Sequence, residues 1–205
     1  MHDISLGHSI EDYLTGEAVE ATTYEDIRQA LARLLVEERG WPAERLKPRY
    51  PVQATINERQ YTRVVDLAGF DGAGRPLILV LFAPGDVTTY ERESLAAARL
   101  VENGPAPLVA VTDSRDAVLL ATADGQRLEQ GMHALPSPER AKELAAAHPV
   151  EPLDETRRCM ESRILYAYSE SLYDCCGGAA CAAEGRGARF SGTDDEPENG
   201  GGTAI

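Results

Sequence analysis

Lysine is almost missing from this sequence: Lys47 and Lys142 are the only two among 20 basic residues, so chemistry that needs a lysine at a set position has little to draw on. Basic charge as a whole is scarce. Against those 20 stand 34 Asp and Glu in 205 residues, a formal net charge of -14 and a pI near 4.7. That balance argues against strong non-specific binding of phosphate backbones, and any arginine cluster that bound them would work against the overall field. No apolar run approaches the roughly 18 to 20 residues that a membrane-spanning helix needs. The opening, MHDISLGHSIEDYL, is too acidic and polar for a signal peptide, so the expectation is a cytoplasmic protein with no membrane partner. The first 158 residues also lack cysteine, while Cys159, Cys175, Cys176 and Cys181 crowd the remaining 47. A disulfide framework is not expected in a reducing compartment, so that crowding asks for another cause.

What is present reads as an α/β chain. Residues 1–22 show no sustained period and read as an N-terminal arm. Thr23, a good N-cap, opens an amphipathic helix through Tyr24, Ile27, Leu31, Leu34 and Leu35 that stops before Gly40. Two strand-like runs, 49–56 and 60–70, suit a hairpin. The turn Asp71-Gly-Ala-Gly74 leads into LILVLFA, a continuous apolar run that predicts a buried central strand. A helix over about 88–103, a buried strand at 107–112 with a hairpin partner at 117–121, and helices over 137–147 and 153–173 follow. The order predicts a mixed central sheet flanked by helices, with 77–112 as one strand-helix-strand crossover. Four segments result: an arm at 1–22, a core at 23–150, a C-terminal helix with the cysteines at 151–183, and an acidic, glycine-rich tail at 184–205 whose composition predicts disorder.

Four stretches, YEDIRQALARLLVEERGWP, RVVDLAGFD, RPLILVLFAPG and PAPLVAVTDS, give the span from Tyr24 to about Gly125 a likeness. It resembles the N-terminal nuclease domain of the R subunit of type I restriction enzymes, a branch of the PD-(D/E)XK nuclease superfamily with a restriction-endonuclease-like core. The resemblance implies an acid on the first helix, an aspartate on the second core strand and a Glu-x-Lys on the third. Together these hold magnesium and activate water for phosphodiester hydrolysis. Glu25 and Asp66 match the first two. The third strand departs from the pattern, with Val80 in the glutamate position and Phe82 in the lysine position, neither able to bind a metal or polarise water. A Gln-x-x-x-Tyr pair of many relatives stands here as Glu93 and Ala97. Asp71, Asp86 or Glu91 could replace the lost ligands only by swinging in from flanking turns. A strand-end role for Asp66, paired to Arg63 or capping a turn, and a helix-dipole role for Glu25 compete with ligation.

The second constellation is Cys159-x15-Cys175-Cys176-x4-Cys181, with Gly177-Gly178 between its last members. Four thiolates are the number for a tetrahedral zinc or an iron-sulfur cluster, and a redox-sensing thiol set or cysteines without a role stay open beside them. His2, His8, His133 and His148 share no ligand spacing with one another or with the cysteines. Three readings of the whole remain. One is a degenerate, non-catalytic domain for recognition of DNA or a partner protein, with a metal, iron-sulfur or redox module. The others are a magnesium-dependent DNA endonuclease with a rearranged site, and a protein-interaction module without nucleic acid.

Overall fold

The computed structural model describes residues 4–174 and 189–191. Where the sequence suggests an irregular arm, Ser5–Glu11 (β1) and Ala18–Thr22 (β2) pair as an antiparallel hairpin. Almost every residue of β1 is exposed, so the strand has no inward face to write an alternation into the sequence. The helix Thr23–Arg33 (α1) follows at once. Its cap is Thr22, one residue ahead of the expected Thr23, and the Thr22 hydroxyl accepts from the Glu25 amide at 3.0 Å. One wider helical turn, Leu34–Glu38, extends it towards Gly40, whose φ of +75° ends the run.

Leu46–Ile56 (β3) and Arg59–Phe70 (β4) form the expected hairpin. Its two-residue turn, Asn57-Glu58, has φ of +47° and +69°, the backbone that matches the twist of the flanking strands. Pro76–Phe82 (β5), buried at every position, pairs antiparallel with β4. Glu91–Arg99 (α2) then carries the chain to Leu108–Thr112 (β6), which lies parallel to β5, the crossover that the sequence predicts. Ala117–Ala121 (β7) is the hairpin partner of β6. Arg127–Gln130 (β8) is an edge strand that the sequence reading leaves out, because RLEQ is short and polar. Ser137 caps Pro138–Ala147 (α3), and Glu155–Asp174 (α4) is the last helix. The sheet runs β3-β4-β5-β6-β7-β8. Arg189–Ser191 (β9) pairs with Gln60–Thr62 of β4, so these three residues depart from the predicted disorder. They fill a stretch of β4 edge that the short β5, whose pairing runs from Phe70 back only to Leu67, does not reach. No described helix is long and apolar enough to cross a membrane.

Two apolar layers sandwich the sheet. Leu95, Ala96–Ala98 and Leu100 near α2, with Leu165 of α4, cover Val109, Val111, Val118 and Leu120 on one side. Three alanines in a row on α2 let helix and strand approach closely. Leu31, Leu35 and Trp41 with α3 cover Ile78, Val80, Phe82 and Leu119 on the other. The β3–β4 hairpin serves both layers. Val52 and Val65 belong to the α2 and α4 side, whereas Leu46 and Leu67 belong to the α1 and α3 side. Residues two apart on a regular strand share a face, so Val65 and Leu67 mark a rollover between them. Arg49, opposite Asp66 in the register, has φ of +48° and sits at that rollover.

Candidate functional site

The residues that the resemblance singles out gather where α1 crosses β4 and β5. Tyr24 and Glu25, in the first turn of α1, meet this end of the sheet with different chemistry. Tyr24 packs edge-on against Phe82 of β5, ring centroids 5.5 Å apart at 78°. Val80 is 1% exposed and Phe82 5%, both inside the apolar layer beneath α1. The two positions that would carry a glutamate and a lysine are therefore core, and an aromatic side chain of the helix packs on the second of them.

Glu25 is held by arginines. Arg28 donates to both of its carboxylate oxygens, through Nε to Oε2 at 3.0 Å and through Nη2 to Oε1. Gln29 Nε2 also donates to Oε1 at 2.8 Å, and Arg49 Nη1 stands 3.5 Å from Oε2. The second acid in this cluster is Asp12, from the end of the β1–β2 hairpin. Its side chain is wholly buried, its Oδ2 accepts from Arg28 Nη2 and lies 3.3 Å from Arg49 Nη1, and its Oδ1 caps the Leu14 and Thr15 amides at 2.9 and 3.0 Å. Burial alone raises the Asp12 pKa. The Thr15 amide, the Arg28 guanidinium and the Leu14 amide together outweigh it and hold the carboxyl below its ordinary value. Two acids and two guanidiniums make a cluster of zero net formal charge. Arginine thus takes the place beside these carboxylates that a cation would otherwise need to fill.

Asp66 is 7% exposed, and its Oδ2 accepts from the Phe82 amide at 2.8 Å. It is a carboxylate clamp between β4 and β5. The pairing with Arg63 that the sequence offers is not formed: Arg63 Nε donates to Glu93 at 2.6 Å across to α2. Glu93, 1% exposed, also accepts from the Ser169 hydroxyl at 2.8 Å, so this carboxylate joins β4, α2 and α4. The three acids able to swing in are all engaged elsewhere. Asp71 binds the Ala73 and Arg75 amides and the Arg75 guanidinium of its own turn, Asp86 caps the Thr88 amide, and Glu91 pairs with Arg127 at 2.9 Å. Among the described residues no three His, Cys, Asp or Glu side chains converge as a metal would require. The residues at this place do not fit magnesium, since Glu25 already meets two guanidiniums and Val80 and Phe82 supply no donor.

Cys159 is exposed on α4, with its thiol free. Cys175, Cys176 and Cys181 lie outside the described residues. On the same helix Tyr166 packs edge-on to Tyr61 at 5.1 Å, a packing role, while Tyr168 is 40% exposed.

Sequence reasoning missed Asp12, Arg28 and Arg49. Arg28 was accessible to it, because a residue three positions after Glu25 on a helix lies on the same face. Asp12 left no such trace, since it arrives from a hairpin without periodicity.

The architecture is that of a mixed α/β domain, a mixed sheet flanked by helices. A family model matches residues 23–136, more than half of the chain, and the chain belongs to that family, described as type I restriction enzyme R protein N terminus. No curated protein and no solved structure matches the chain.

Proposed function

We propose that this chain is a non-cleaving member of its family, kept for recognition of DNA or of a partner subunit. The observation that carries this reading is the burial of Val80 and Phe82 in the apolar layer beneath α1, because hydrolysis in this family needs a carboxylate and an ammonium at those two places. The ion pairing of Glu25 supports it. Incubation with supercoiled and linear DNA in magnesium or manganese tests it: the DNA stays intact. Metal-dependent cleavage that Asp66→Asn abolishes would establish a working endonuclease with a rearranged site instead.

A second reading, a protein-interaction module without nucleic acid, is favoured by the net charge of -14. Gel shifts at low and moderate salt separate the two. Binding by so acidic a protein rests on a local patch and fades steeply with salt, whereas a pure protein-interaction module gives no shift at either. The C-terminal cysteines form, on our reading, a thiol module that holds an iron-sulfur cluster or zinc or responds to redox state, with Cys159 on α4 as its first member. Anaerobic purification with an absorption spectrum and metal analysis, repeated on Cys175→Ser with Cys176→Ser, tests it. Bound iron and a broad visible band lost in the variant mark a cluster, stoichiometric zinc a structural site, and absence of both removes metal from the reading.

A further inference from the structure

The outer edge of β3 ends in an open slot whose chemistry suits an added strand. In a two-residue hairpin the pair flanking the turn, here Ile56 and Arg59, exchanges both backbone hydrogen bonds, and bonded pairs alternate from there. Ala54 with Tyr61 and Val52 with Arg63 are the next bonded pairs in the register. Gln53 and Thr55 therefore turn their N–H and C=O groups to the outer edge of β3, as Gln60 and Thr62 do on β4. The chain covers the β4 groups itself, because β9 sets Ser191 opposite Gln60 and Arg189 opposite Thr62. Among the described residues no strand pairs with the outer edge of β3.

Other parts of the sheet rim are guarded. The far edge, β8, is four residues long, and its Arg127 and Glu129 are paired to Glu91 and Arg140. The first half of β3 carries Pro48, Arg49 in a left-handed conformation and Pro51, each of which blunts an edge. The second half has no such device.

Beside that open half lies a concave slot of about 530 Å³, within the range of ligand-binding clefts. One wall is the distal end of β3 with its turn and Gln60 of β4, and the other is a single stripe of α4 at helical spacing, Glu155, Arg158, Cys159, Ser162 and Arg163. Ala54 and Leu100 supply apolar surface between them. A slot with a strand edge on one side and a helix on the other fits one extended chain. It does not fit the edge of a second copy, which would bring its own α4 and a second hollow rather than a ridge. The charge is also directional. Glu58, Glu102 and Glu155 outnumber Arg158 and Arg163 around the slot, and the rest of the chain adds to the negative field.

We propose that the edge of β3 is a docking site for an extended, basic peptide segment that adds as a strand beside Gln53 and Thr55. This lies on the α4 side of the sheet, away from α1, and stands whether or not the domain cleaves DNA. The test uses the full chain and two labelled probes, a Lys-Val-Lys-Val-Lys peptide and its Glu-Val-Glu-Val-Glu counterpart, followed by fluorescence anisotropy and by amide hydrogen exchange. The basic peptide binds saturably, more weakly as salt rises, and slows exchange at the Gln53 and Thr55 amides, while the acidic peptide does not bind. Thr55→Pro removes one outward donor at a position where proline is tolerated, and weakens binding about tenfold with an unchanged melting temperature. Should that variant fold poorly, Glu102→Lys with Glu155→Lys gives the same loss through charge. Failure of both peptides to bind, or binding indifferent to all these substitutions, overturns the proposal. So does protection of the same amides by self-association without peptide, which would assign the edge to a second copy.

Discussion

Two neighbouring parts of the molecule surround the start of α1 with opposite chemistry. On β5 the two positions are apolar core, Val80 and Phe82, with Tyr24 packed edge-on against Phe82. At the start of α1 the polar character is kept and neutralised, with Asp12 and Glu25 both bound to Arg28 and approached by Arg49. The apolar half gains from burial directly, about 1.5 to 3 kcal/mol for a side chain of this size. The ionic half only recovers a desolvation cost, so its worth lies in not being broken. That contrast predicts that the ion cluster is more fragile to a single substitution than the apolar plug beside it.

The largest effect is expected at Arg28. Arg28→Met leaves the buried Asp12 and the largely buried side chain of Glu25 against one partly exposed guanidinium, and a loss of about 3 to 5 kcal/mol is expected from the urea midpoint. Phe82→Ala comes next, at about 3 to 4 kcal/mol by the same measurement, since it opens a cavity beneath Tyr24. A larger loss at Phe82 than at Arg28 would break the comparison. Gly69→Ala probes the same layer from the other direction. A methyl there would sit 2.8 Å from the ring of Trp41 and 2.9 Å from Ile78, so overpacking of about 1 to 3 kcal/mol is expected, with a change in Trp41 fluorescence. Arg49→Ala is the smallest, about 1 kcal/mol or less, because Arg49 is a third exposed and its attraction is screened.

Acid sharpens the comparison further. The Asp12 pKa is lower in the folded chain than in the unfolded one, so its contribution to stability is complete above the unfolded carboxylate value. It is lost as pH falls through the lower, folded value. The stability of Asp12→Asn relative to the parent should therefore improve as pH drops below about 4, while Phe82→Ala keeps the same deficit throughout. A parallel pH profile for Asp12→Asn would show that folding leaves the pKa of the hairpin acid unchanged.

Most of the architecture was legible because its signals are local. The apolar run of β5, the Asp71-Gly74 turn, the β6–β7 hairpin and the Ser137 cap each announce themselves within a few residues, whereas Glu25, Asp66, Val80 and Phe82 are singled out only through the family resemblance. The illegible parts are those without an inward face or with a distant partner. β1 is exposed at almost every position, β8 is short and charged, and β9 pairs on a stretch of β4 that β5 does not reach. The same holds for partners. Arg28 lies one helical turn from Glu25, but Asp12 and Arg49 reach it through a hairpin tip and a left-handed kink that no periodicity encodes. Arg63 likewise chose Glu93, thirty residues away, over the nearby Asp66, because on its stretch of β4 it faces α2.

The rollover at Arg49 and Asp66 also governs cooperativity. Since one hairpin feeds the layer under α2 and α4 along its length, Phe70 included, and the layer under α1 and α3 from its proximal half through Leu46 and Leu67, neither layer can melt while the other keeps its strands intact. Trp41, the single tryptophan, reports on one layer, and the Tyr61 and Tyr166 pair reports on the other. Their unfolding transitions should coincide, and the domain should come apart as one unit rather than shedding a face at a time.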